Sequence, residues 1–148
     1  MIKDIDIKDC ILGKNVEIIR PVNLYGCSLA DNVFIGPFVE IQKNVSIKEN
    51  TRIQSHCFVC ELVTIGKDCF IGHGVMFIND KFSQGKPAGG NKDLWVNTVI
   101  GDRVYIGSNA TILPIKICDD VVIGAGSVVT KDIQKPGIYA GNPAKKLK

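Results

Sequence analysis

The chain has 148 residues, is 45% hydrophobic and 22% charged, and carries a formal net charge of +3. That length suits one domain with a full core, and the composition excludes a disordered chain. The charge is too small to point to nucleic acid by itself, and no run approaches the about 18 apolar residues of a membrane span. The opening MIKDIDIKDC has neither an apolar core nor a cleavage signal, so no secretory peptide is expected. The six cysteines lack the spacing of a secreted framework, so reduced thiols in a cytoplasmic protein are expected.

A repeat of six governs the rest. Fifteen hexads begin on Leu, Ile or Val, from Leu12 through Ile35, Ile53 and Ile71 to Ile123. Their fifth residues, from Val16 through Val39, Thr51, Cys57 and Ala110 to Ser127, are all small or β-branched. Glycine takes the second position at Gly13, Gly36, Gly66, Gly72, Gly101, Gly107 and Gly124. Neither a helix nor a simple strand has this period. A solenoid does: each hexad is a short strand and a turn, position one is large and inward, and position five is inward but cramped by the corner. Two five-residue slips, at Leu24–Ser28 and Ile112–Lys116, interrupt the rhythm without ending it.

The rhythm fails once. The hexad at Phe77 would send Lys81 inward, where a charge is costly. Ser83–Asp93 then holds three glycines and a proline, which predicts a projecting loop near 82–93, with the repeat resuming at Leu94. A loop on a rigid scaffold is a common carrier of function. Lys43, Glu61 and Asn79 share position three and lie 18 apart, so they are expected to form an outward ladder. His56 and His73 are the only histidines and point away from the core. His56, Glu61, His73, Asn79 and Asp80 are therefore expected to gather beside the loop root. Cys57 and Cys60 form a lone CxxC, with Cys57 inward and Cys60 at an outward second position, which argues against a redox or zinc role.

This repeat resembles the hexapeptide-repeat acyltransferases, whose fold is an all-β, left-handed parallel β-helix with three hexads per coil. The resemblance covers about residues 7–133 of a single domain, 1–148, and leaves a C-terminal tail at 134–148. The stretches FVEIQKNVSI, TRIQSHCFVCELV, GHGVMFINDKF and GSNATILPIKICDDVVIGAGSVVTKDI are similar to the N-acetyltransferases acting on dTDP-linked 3-amino-3,6-dideoxyhexoses, and more distantly to those acting on UDP-linked 3-amino sugars. GIYAGNPAKKLK matches the usual ending of that superfamily.

The resemblance implies acetyl-CoA as acyl donor, a nucleotide sugar as acceptor, no metal, and a homotrimer with sites between subunits. For the chemistry, His73 is the expected general base, with His56 second and Asn79 beside them. Glu61, Asn79, Asp80, Phe82 and Trp95 are expected to bind the sugar nucleotide. Backbone N–H groups at Ser108, Asn109, Gly124 and Ala125 are expected to meet the acyl donor, with Lys131 and Lys145 near its phosphates. Tyr105 is a further candidate to pack on a base, and Phe38, Phe58 and Phe70 are outward residues that a trimer would bury. A zinc-dependent carbonic anhydrase of the same fold is the rival reading, weakened because catalytic zinc takes about three protein ligands and the chain has two histidines.

Overall fold

The computed structural model describes residues 1–148, and its regular structure is strands of two to five residues plus one 3-10 turn at Lys92–Leu94. The strands stack into three sheets that wrap one core. The first face runs through Ile7–Lys8, Asn23–Tyr25, Glu40–Ile41, Phe58–Val59, Met76–Phe77, Thr111–Ile112 and Val128–Val129. The second takes Ile11–Leu12, Ser28–Leu29, Ser46–Ile47, Val63–Ile65, Thr98–Ile100 and Lys116–Ile117. The third takes Glu17–Ile18, Phe34–Ile35, Arg52–Ile53, Phe70–Ile71, Tyr105–Ile106, Val121–Ile123 and Gly137–Gly141, with Ala144–Lys146 closing it. All pairings are parallel except the last, as a solenoid requires. The architecture is the left-handed parallel β-helix.

Register follows the hexads. Glu40 pairs with Phe58 and Phe58 with Met76, each 18 residues on. The two slips shorten their coils to 17, so Ile11 meets Ser28 and Val99 meets Lys116. Position-one residues such as Ile35, Ile53, Ile71 and Ile106 are buried, with Val33, Val39, Cys57 and Ala110 packed at the cramped fifth positions. They belong to one cluster of 31 buried apolar residues, so the core is continuous along the solenoid. Each such Ile or Leu contributes about 1.5–3 kcal/mol by leaving water.

Every coil turns three corners, and most turns carry a residue with positive φ at the fourth hexad position, for example Asn50 at 60°, His56 at 65° and Leu62 at 72°. Positive φ at the second central residue is what a type II turn needs. We name the corners by their contents. The loop corner joins the first face to the second, the ladder corner the second to the third, and the histidine corner the third to the first.

The ends differ. At the C-terminus, Gly137–Gly141 adds a rung on Val121–Ile123 and Ala144–Lys146 folds back antiparallel on it, so the stretch set apart as a tail is built into the third face. The N-terminal coil has no such cover. Leu12, expected inward as a position-one residue, is 45% exposed because nothing stacks beyond it.

Two further expectations are corrected. Leu94 does not restart the repeat; it lies in the 3-10 turn, and the solenoid resumes at Thr98, which pairs with Val63, 35 residues earlier. A 3-10 turn places its residues by local hydrogen bonds, as Leu94 N–H to Asn91 C=O, not by stacking. Cys60 is not outward into solvent but buried, 3% exposed, in the wall of a cleft that Ile78, Asn79 and Trp95 also line. Burial pushes the thiol up to about 12.

Candidate functional site

The residues expected to gather do not. His56 and His73 stand on the histidine corner, between the third and first faces. Glu61, Asn79, Asp80 and Trp95 stand on the loop corner, one face away. A face of about six extended residues separates them, on the order of 20 Å. The 18-residue period assigns residues to columns, and Glu61 and His73 are 12 apart, two corners along the coil rather than a whole one.

The loop corner is held by its polar residues. Glu61 and Asn79 are buried, 7% and 8% exposed, so of the expected outward ladder only Lys43 stays exposed. The Glu61 N–H donates to Gln42 Oε1 at 3.2 Å, and Asn79 Nδ2 donates to the Glu61 carbonyl at 3.1 Å. Lys92 Nζ reaches both Glu61 carboxylate oxygens at 3.0 and 3.1 Å and lies 5.3 Å from the Trp95 ring centroid. The hydrogen bond to Glu61 raises the Lys92 pKa. Asp80 accepts the N–H groups of Phe82 at 3.0 Å and Ala88 at 2.8 Å and bridges to Trp95. Asn79 C=O accepts the Val96 N–H at 2.9 Å. These bonds close the excursion at both ends.

Beneath the loop lies a cleft of about 500 Å³ walled by Tyr25, Phe58, Trp95, Glu61 and Asp80. Burial raises the Tyr25 pKa, with the Glu40 and Glu61 carboxylates adding to it. Phe82 is outside this cleft, 58% exposed on the loop at φ 50°. Tyr25, Gln42 and Lys92 were missed by sequence reasoning. Lys92 sits in a polar loop, and only the folded excursion carries it to Glu61.

The histidine corner is organised differently. Ser55, His73, Ser108 and Ala125 stack as the first turn residue of successive coils, joined by Gly74 N–H to Ser55 C=O at 3.0 Å, Asn109 N–H to His73 C=O at 2.8 Å and Gly126 N–H to Ser108 C=O at 2.8 Å. Beside them Gly72, Gly107 and Gly124 occupy position two. A Cβ on Gly72 would lie 2.6 Å from the Ile106 carbonyl oxygen, and one on Gly107 2.4 Å from the Ala125 nitrogen. The coils approach too closely there for any side chain. His73 is exposed, and His56 stacks on Phe38 with ring centroids 4.9 Å apart.

The expected donor residues are sorted by this geometry. The N–H groups of Asn109 and Gly124 are already spent, on His73 C=O and Tyr139 C=O. Those of Ser108 and Ala125 make no hydrogen bond within the chain. Lys145 pairs with Ala140, whose Cβ faces Gly124, so it lies at the end of this corner. Lys131 follows Val128–Val129 on the first face and belongs to the loop corner, away from His73. A shallow groove of about 210 Å³ runs along the third face beside the corner, lined by Phe70, Tyr105, Val122, Gly107 and Ser108. The largest cleft, about 630 Å³, is elsewhere, between the second face and the ladder corner at Lys48, Glu49, Lys67 and Asp102.

Two repeat families match the chain: the hexapeptide repeat of succinyl-transferase at residues 62–76 and 97–131, and the bacterial transferase hexapeptide, six repeats, at 26–61. The bifunctional protein GlmU of Acinetobacter baylyi is 35% identical over 132 residues, covering 85% of this chain, and this chain spans only 26% of that protein. A mutant of AntD, an N-acyltransferase from Bacillus cereus in complex with dTDP and coenzyme A, superposes with TM-score 0.75 at 23% identity, covering 95% of this chain and 83% of its own. The polysialic acid O-acetyltransferase OatWY gives TM-score 0.71 at 25% identity, covering 94% and 73%. PerB from Caulobacter crescentus, in complex with CoA and GDP-perosamine, gives 0.66 at 18%, covering 96% and 57%. With the repeat matched along both sides of the loop and the β-helix in place, this chain belongs to the hexapeptide-repeat transferases.

Proposed function

We propose that this chain is an acyltransferase that moves an acetyl group from acetyl-CoA to the 3-amino group of a dTDP-linked 3-amino-3,6-dideoxyhexose. The observation that carries this reading is the histidine corner: an exposed imidazole in line with backbone N–H groups at Ser108 and Ala125 that nothing in the chain satisfies. The pantetheine arm of coenzyme A is a chain of amides and methylenes, and unspent N–H groups beside an apolar groove suit it. The bound CoA in the AntD and PerB complexes, and their dTDP and GDP-perosamine, support a nucleotide-sugar acceptor.

In this reading the amine nitrogen attacks the thioester carbon, the carbon–sulfur bond breaks, and coenzyme A leaves as thiolate. His73 takes the proton lost by the amine and passes it to the thiolate sulfur, so the base is restored. A base so positioned contributes about 10²–10⁴-fold. The loop-corner cleft, with Tyr25, Phe58 and Trp95 as walls and Glu61 and Asp80 as polar ends, is our acceptor site. It is one face away from His73, so the working site needs two copies of the chain, the histidine corner of one facing the loop corner of the next. A homotrimer meets that need and would cover the outward Phe58, Phe70 and Phe38.

The test is thiol release from acetyl-CoA with a dTDP-3-amino-3,6-dideoxyhexose, a UDP-linked 3-amino sugar and no acceptor. Release that requires the dTDP sugar supports the reading; preference for the UDP sugar moves the acceptor to the alternative class. Release with neither removes the sugar assignment. Mixing His73→Ala with Glu61→Ala chains tests the split site. Activity regained on mixing, with neither variant active alone, supports a shared site, whereas no recovery places both halves in one chain.

A further inference from the structure

The first two coils of the solenoid bring two thiols together. Cys10 and Cys27 are 17 residues apart, the span of the shortened coil that pairs Ile11 with Ser28 and Leu12 with Leu29. They are therefore stacked neighbours in one inward column, continued by Val45, Val63 and Thr98. Their sulfurs lie 3.4 Å apart, and the Ile11 N–H donates to the Cys27 carbonyl at 3.0 Å, fixing the two rungs against each other. No other pair among the six cysteines is in sulfur contact: Cys57 Sγ is bonded to the Gly72 carbonyl at 2.9 Å and Cys69 Sγ to the Gly101 carbonyl at 3.1 Å.

The backbone already suits a bond. Adjacent parallel strands lie about 4.8 Å apart, inside the about 4.4–6.8 Å between Cα atoms that a disulfide spans. Access is one-sided. Cys27 is buried, while Cys10 is only partly buried in the outermost coil, where Ile11 and Leu12 are exposed at 72% and 45%. This coil is also the one held on a single side, so a bond to the second coil would restrain the part of the fold with fewest partners.

We propose that Cys10 and Cys27 are a cross-linking site that closes to a disulfide when the chain meets a low-molecular-weight disulfide such as glutathione disulfide, pinning the open end of the solenoid. The thiolate of Cys10 attacks one sulfur of glutathione disulfide, forming a mixed disulfide and releasing one glutathione. The thiolate of Cys27 then attacks Sγ of Cys10, the bond to glutathione breaks, and the second glutathione leaves. Two protein thiols are oxidised and one glutathione disulfide is reduced to two glutathiones. Burial first, and then the neighbouring Cys10 thiol, push the Cys27 thiol up to about 12 in the reduced pair, and because burial persists in the mixed disulfide the second step quickens as pH rises.

The test treats the folded full-length chain with glutathione disulfide across a pH range, quenches with alkylating agent, and reads intact mass and non-reduced peptide maps. The expected product has lost two hydrogen atoms, links the Cys10 peptide to the Cys27 peptide, and forms faster at higher pH. Cys27→Ser is expected to stop with one glutathione retained on Cys10, and Cys10→Ser to form no cross-link and no adduct on Cys27. Cross-linked chain is expected to lose its first coil to protease several-fold more slowly than reduced chain. A wild type that retains glutathione without cross-linking overturns the proposal. So does a cross-link through any other cysteine, or a full count of free thiols after treatment.

Discussion

The ladder corner and the histidine corner make the same turn with opposite side chains. At the ladder corner the positive-φ column reads Asn15, Asn32, Asn50, Asp68, Arg103 and Asp120. Five of the six are Asn or Asp, which tolerate that conformation, and they also bond along the solenoid: Asn32 Nδ2 to Asn50 Oδ1 at 3.1 Å, Asn50 Nδ2 to Asp68 Oδ1 at 3.0 Å. Turn N–H groups are answered too, Lys67 by Asp102 at 3.0 Å and Asp102 by Asp119 at 2.8 Å. At the histidine corner the column reads Phe38, His56, Gly74, Asn109 and Gly126, with no amide ladder, and no carboxylate answers the N–H of His73, Ser108 or Ala125. Bulky residues at positive φ cost about 1–2 kcal/mol each. One corner is built for stability. The other keeps strained rings and open donors, the combination on which the proposed acyl-donor site rests.

The largest effect that would break this contrast is on activity. His73→Ala is expected to lower the rate of acetyl transfer about 10²–10⁴-fold with the melting temperature unchanged. Equal rates for variant and wild type would remove His73 as base and leave an amine that binds neutral. Next, Asn50→Ala removes two ladder bonds and puts a Cβ without an amide at φ 60°, so about 2 kcal/mol of stability should be lost in urea unfolding. Its kcat is expected to hold, since this corner touches no reacting atom.

Two inward threonines extend the comparison to the loop corner. The Thr51 hydroxyl donates to the Gly66 carbonyl at 2.7 Å and accepts the Cys69 N–H at 3.0 Å, whereas the Thr98 hydroxyl, where the loop re-enters, has no partner. Thr51→Val should cost about 1–3 kcal/mol, and Thr98→Val should gain about 1 kcal/mol. The same sign for both would mean that the loop root finds a partner for Thr98. His56→Gly relieves a strained φ of 65° and should raise stability by about 1 kcal/mol. A lower melting temperature would show the stack to be the larger effect.

The smallest effect is electrostatic. Arg103 Nε bonds Asp120 Oδ1 at 2.6 Å and holds that carboxyl below its usual range. A depressed folded value means the pair stabilises above the ordinary carboxylate range, near pH 4, and that this stabilisation is lost as pH falls through the folded value. Both side chains are about half exposed, so the loss is small and salt should shrink it. Asp120→Asn should flatten the melting curve against acid pH; an unchanged slope would assign it to another carboxylate.

The β-helix was legible in the chain because a period of six acts on every coil at once. An inward Ile53 or a cramped Val39 needs no distant partner to declare itself. The break at Lys81 and the glycines of 83–93 were legible for the same reason, as departures from the period. Candidate residues could be named from the sequence, but their grouping could not be read there. Columns can be counted from the period, but which corner faces which depends on three faces turning about one core, and this separated His73 from Glu61. The loop's own contribution to that corner had no sequence signal. Gln42 meets Glu61 by simple stacking of one coil on the next, whereas Lys92 meets it only because the 35-residue step between Val63 and Thr98 folds back over that coil. Local rules and repetition determined the strands, the turns and the core. Closure of the coils alone decided which N–H groups are satisfied, which thiols touch, and which carboxylates are buried, because each depends on atoms a full turn of the solenoid away.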